Sequence, residues 1–92
     1  MFTYAQLEQF VNDGRENSLT ATPDIKYGLY KSDRGDKIEI RLEEQFFREK
    51  QHTIGYMECI LRFYISKQDD LLDTLYRLLR NCLLVERKTN ER

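Results

Sequence analysis

Ninety-two residues with 15 basic and 16 acidic side chains, a net charge of −1 and 40% hydrophobic residues describe one small folded domain. That balance excludes a disordered chain and the global basic field that non-specific nucleic-acid binding needs. Residues 1–50 sum to −2 and residues 51–92 to +1, the surplus lying in a basic C-terminal tail with Arg77, Arg80, Arg87, Lys88 and Arg92.

The chain opens with a helix signature. Thr3 and Gln6 have capping-box spacing, and Phe2 with Leu7 fits the hydrophobic staple that goes with it. Leu7, Phe10 and Val11 form one stripe and Gly14 stands where a C′ glycine belongs, so a helix is expected over Tyr4–Asp13. Residues 15–24 are polar, contain the single proline, and read as a loop in which Leu19 is a candidate plug.

Alternation then predicts a β-hairpin. Ile25, Tyr27 and Leu29 share one face of the first strand, and Ile38, Ile40 and Leu42 one face of the second. Ser32–Asp36 supplies the turn chemistry. Keeping Phe46 in phase with Ile38, Ile40 and Leu42 turns Glu44 inward, which is costly for a carboxylate; a bulge near Glu44 or a helical turn carrying Phe46 and Phe47 resolves the conflict, and strand continuation with the bulge is the preferred reading, followed by a turn at Gln51–Gly55.

The strongest pattern runs from Tyr56 to Leu83. Met57, Cys59, Leu61, Phe63 and Ile65 alternate as a third strand over Tyr56–Ile65. Ser66 is read as the cap of a second helix, with Asp69 at the capping-box position and Leu71, Leu72, Leu75, Leu78, Leu79, Cys82 and Leu83 on one side. The expected fold is α+β, ordered α-β-β-β-α: a three-stranded antiparallel meander with two helices on one face. All 92 residues form one domain in this reading, with 88–92 as a frayed tail. The same order occurs in double-stranded RNA-binding domains, but their lysine cluster at the second helix is replaced here by Lys67-Gln68-Asp69-Asp70.

Chemistry-bearing motifs are sparse. His52 is the single histidine, the cysteines are 23 residues apart, and no glycine-rich phosphate loop exists, so no catalytic, metal or cofactor residues are assigned and no enzyme is expected. Arg34-Gly35-Asp36 spells an adhesion tripeptide, but two cysteines placed on apolar faces suit a reducing compartment. With no basic-plus-apolar leader and no membrane-length apolar run, a cytoplasmic location is expected.

What remains is surface. The back of the sheet presents Lys26, Tyr30, Glu39, Arg41, Tyr56, Glu58, Ile60, Arg62 and Tyr64 by alternation. Tyrosine and arginine around an apolar centre suit a protein interface, and the same residues suit single-stranded nucleic acid as an alternative. Leu84 and Val85, beyond the helical stripe, are a second candidate contact. The expected function is a small regulatory or adaptor module acting through Tyr30, Arg41, Tyr56, Ile60, Arg62, Tyr64, Leu84 and Val85, with a protein partner or a homodimer.

Overall fold

The computed structural model describes residues 1–21, 27–48 and 53–87, with backbone alone along 45–48 and 53–57. In chain order the elements are α1 (Tyr4–Asn12), β1 (Thr20–Ala21), β2 (Tyr27–Asp33), β3 (Lys37–Arg48), β4 (Thr53–Ser66) and α2 (Leu71–Asn81). The strands make one antiparallel sheet in the order β1-β2-β3-β4. The α+β class holds, but the meander has four strands rather than three. The fourth is β1, a two-residue strand inside the expected loop, where Thr20 faces Leu29 and Ala21 faces Gly28. So short a strand has no alternation to read, and its pairing is tertiary.

Both helices cover one sheet face. Leu7 and Phe10 of α1, Leu75, Tyr76 and Leu79 of α2, and Leu29, Ile40, Leu42 and Ile65 of the sheet are buried in one core with Phe2 and Val85. Each such side chain contributes about 2 kcal/mol of burial. Tyr76 enters this core although the helical stripe omitted it, with its ring edge-on to Tyr4 at 5.3 Å. Among the described residues no helix is long and apolar enough to cross a membrane.

The capping box of α1 is present: Thr3 Oγ1 accepts from the Gln6 amide at 3.1 Å, and Gln6 Oε1 accepts from the Thr3 amide at 2.9 Å. Its other end departs from expectation. Gly14 does not take a left-handed backbone conformation, since Gly35 and Leu83 are the positive-φ residues among those described. The ammonium of Lys31 closes the helix instead, donating to the carbonyls of Phe10 (2.8 Å), Val11 (3.1 Å) and Asp13. A cation at the negative end of a helix dipole is a favourable arrangement. It explains why a lysine is tolerated on the core side of β2, where burial lowers its pKa against the opposing pull of Asp13. In the loop beyond, Ser18 is buried and Leu19 is exposed, the reverse of the expected plug.

The hairpin loop is the three residues Arg34–Asp36, since β2 runs on to Asp33 and β3 begins at Lys37, and Gly35 takes φ +81° at its tip. The bulge expected in β3 near Glu44 is absent: β3 keeps its phase, Glu44 stays half-buried in step with Leu42, and the extra residue is on the partner strand β4. Leu42 faces Leu61, Glu43 faces Cys59, and Ile60 is left over between them. That single residue flips the phase of β4. Cys59 therefore leaves the core face and is exposed, correcting its assignment beside Leu61 and Phe63. A second shift lies between Phe46 and Phe47, and Thr53–Gly55, expected as a turn, are part of β4. Ile25, Lys26, Gln51, His52 and the tail from residue 88 lie outside the described residues.

α2 begins later than expected. Ser66 caps a tight turn, accepting from the Gln68 amide at 3.2 Å, while the helix N-cap is Asp70, whose carboxylate accepts from the Asp73 amide at 2.8 Å. The helix ends at Asn81, so Cys82 and Leu83 fall outside the buried stripe and are exposed. The chain then turns inward. Phe2 donates to the Leu84 carbonyl at 2.9 Å and accepts from the Glu86 amide at 2.8 Å, making a parallel bridge between Phe2 and Val85. Val85 is fully buried and Leu84 half-buried against the core, which corrects their reading as an exposed contact.

Candidate functional site

Alternation on three strands lays out the sheet face away from the helices as rows. Tyr30 of β2, Arg41 of β3 and Arg62 of β4 oppose one another in the first, and Ser32, Glu39 and Tyr64 in the next. Gly28, Glu43 and Cys59 form a third row on the other side of the arginines. The two facing guanidinium groups alone would repel. They are held by the carboxylates that flank them on the central strand.

Glu39 is the hub. Only 4% of its side chain is exposed, yet it accepts from Arg34 Nε at 3.0 Å and Nη2 at 2.8 Å and pairs with Arg62 Nε at 3.0 Å. The Tyr64 hydroxyl stands 3.5 Å from its second oxygen. The hydrogen bonds from Arg34 lead the forces that hold this carboxyl below its ordinary range, and burial opposes them. Arg34 belongs to the Arg34-Gly35-Asp36 tripeptide, and its guanidinium is committed to Glu39 rather than presented at the tip.

Around Arg41 the packing is tighter. Its guanidinium lies 5.5 Å over the Tyr30 ring and its Nη1 stands 3.5 Å from buried Glu43. Among the described residues the buried Arg41 Nε has no hydrogen-bond partner. Burial, followed by the nearby Glu43 charge, raises the pKa of the Tyr30 hydroxyl.

Of the residues proposed from sequence, the ladder brings Tyr30, Arg41, Arg62 and Tyr64 onto one surface, with the unpaired bulge residue Ile60 exposed beside them. Tyr64 is 56% exposed and Ile60 43% exposed, while Arg62 keeps half of its side chain in solvent. Tyr56 opposes Phe46 in the β3–β4 ladder, and its side chain lies outside the described set. Leu84 and Val85 are elsewhere, within and against the core; the exposed aliphatic at that helix end is Leu83, 74% exposed. Sequence reading placed Glu39 on this face without anticipating its burial, and gave Glu43 and Arg34 no part in the site. The available signal was the alternation Glu39, Arg41, Glu43 on one strand, which puts a cation between two acids.

A cleft of about 520 Å³ opens between the end of α1, β2 and the start of α2, lined by Asp13, Arg15, Lys31, Asp33, Ile38 and Leu71 among others. Of its charged side chains, Asp13, Arg15, Lys31 and Asp33 are already committed. Lys31 binds backbone carbonyls, Asp13 pairs with Arg15 at 2.8 Å, and Asp33 pairs with Lys67 at 2.8 Å. Arg15 holds the Asp13 carboxyl down to about 2. Among the described residues no group of three or more His, Cys, Asp or Glu side chains is placed to hold a metal ion. The arrangement on the sheet face therefore offers contact chemistry: fixed guanidinium groups, a phenol and an exposed isoleucine. No family model, curated relative or solved structure matches the chain.

Proposed function

We propose that this protein is a non-catalytic interaction module whose contact surface is the open sheet face, centred on Ile60, Arg62 and Tyr64 with Tyr30 and Arg41 beside them. The observation that carries this reading is the pinned state of the arginines. Arg34 and Arg62 converge on one buried carboxylate, so these long side chains are ordered before any partner arrives. Pre-ordering removes part of the entropy cost of binding, and rigid arginine beside tyrosine is the composition of interface hot spots. The paired carboxylates also cancel much of the positive field, which favours a protein over a nucleic-acid strand.

The test compares the wild-type protein with Ile60→Asp and Tyr64→Ala as baits under identical conditions, with circular dichroism confirming that each is folded. A partner retained by wild type and lost from both variants is the expected result. Equal retention by all three baits sinks the reading. Salt-sensitive binding of single-stranded oligonucleotides, abolished by Tyr64→Ala, would favour the nucleic-acid alternative instead.

A further inference from the structure

We propose that β4 pairs along its outer edge with β4 of a second copy of this chain, antiparallel about a two-fold axis through the Ile60 bulge, making one sheet of eight strands. The two ends of the sheet are treated very differently. Beside β2 stands β1 with its preceding loop, whereas β4 closes the strand order as a strand of 14 residues. Among the described residues its strand pairing is with β3 alone. From Glu58 to Ser66 the free edge is about 30 Å of outward-facing N–H and C=O groups, at the usual rise per residue. Long edges are ordinarily blunted by lysine, by proline or by a bulge; residues 56–65 contain neither lysine nor proline, and the device present is the bulge at Ile60.

The bulge selects the partner. Above Ile60, Arg62 and Tyr64 lie on the open face; below it, Cys59 does, because it pairs with Glu43. A regular strand laid along this edge would match faces on one side of the bulge and mismatch them on the other. A second β4 carries the same irregularity. With the axis between Ile60 and Leu61, both bulges coincide and the faces match on both sides. Arg62 of one copy then opposes Cys59 of the other, and Phe63 opposes Glu58.

The pairing runs along the strand edge rather than across the open face; Ile60 belongs to both, so Tyr64→Ala and the Cys59 cross-link are the tests that separate them. Sedimentation of the full chain should show a dimer, weakened about tenfold or more in Ile60→Lys, where two lysines meet at the axis. Circular dichroism and thermal melting check that this variant remains folded. Independently, a short bismaleimide should join two copies through Cys59 in Cys82→Ser protein, without any change to the edge itself. Monomeric behaviour at all concentrations with no Cys59 cross-link would overturn the proposal. So would a dimer indifferent to Ile60→Lys and cross-linked through Cys82 instead. Tyr64→Ala, which tests the open-face reading, should leave the mass of the dimer unchanged.

Discussion

Glu39 shows how one residue sets the character of a whole face. A carboxylate this buried is costly unless its oxygens are satisfied, and Arg34 and Arg62 satisfy both. Its folded-state pKa lies below the ordinary glutamate value. The stability it contributes is therefore present above the unfolded value, about 4.3, and is lost as pH falls through the folded one. Denaturant midpoints measured from neutral pH downward should fall below about pH 4.5, with a shallower acid limb in Glu39→Gln than in wild type. Asp13, held to about 2 by Arg15, adds its own loss in that acid range and remains in both proteins. Identical acid limbs in the two proteins would mean that Glu39 is not the residue responsible.

At the scale of the element, the end of α2 is held in an unusual way. The Leu83 amide donates to the Arg80 carbonyl at 3.0 Å and the Leu84 amide to the Leu79 carbonyl at 2.9 Å, the bonding of a Schellman cap. The C′ position of that cap needs a left-handed residue, and here it is Leu83 at φ +59°, a position glycine normally fills. Leu83→Gly should therefore stabilise the protein by about 0.5–1 kcal/mol in equilibrium unfolding. Leu83→Ala keeps the Cβ and with it the strain, so it should give no comparable gain. Equal effects of glycine and alanine would place the cost elsewhere. The periodicity of α2 was legible in Leu71, Leu72, Leu75, Leu78 and Leu79, which lie in or against the core. Its ends were not, because Asp70 and Ser66 both offer cap chemistry and only the path of the chain after β4 separates them.

The whole molecule is closed by its two ends. Phe2 and Val85, 83 positions apart, are both fully buried and joined through the backbone, so the segment after α2 is part of the fold. Val85→Ala should cost about 2–3 kcal/mol, a large part of the margin expected for a domain this small, as read from a denaturant midpoint. A cost below about 0.5 kcal/mol would show that the end-to-end closure contributes little. The same closure accounts for the misread Leu84 and Val85. Helical periodicity ranks positions on one cylinder, and the chain leaves that cylinder at Leu83.

By itself the sequence determined the α+β class, the capping box at Thr3 and Gln6, the β2–β3 hairpin, and the two-sided character of the sheet with Tyr30, Arg41, Arg62 and Tyr64 on its back. Each rests on spacing within a few residues, where backbone geometry maps position onto face. Tertiary structure alone decided the Ile60 bulge, the pairing of β1, the lysine that closes α1 and the bridge from Phe2 to Val85. Each joins residues across space for reasons of packing and hydrogen-bond satisfaction that no local period encodes. The displacement of Cys59 is the clearest case: one extra residue in β4, with no mark in the alternation, moved a thiol from the expected core to the surface.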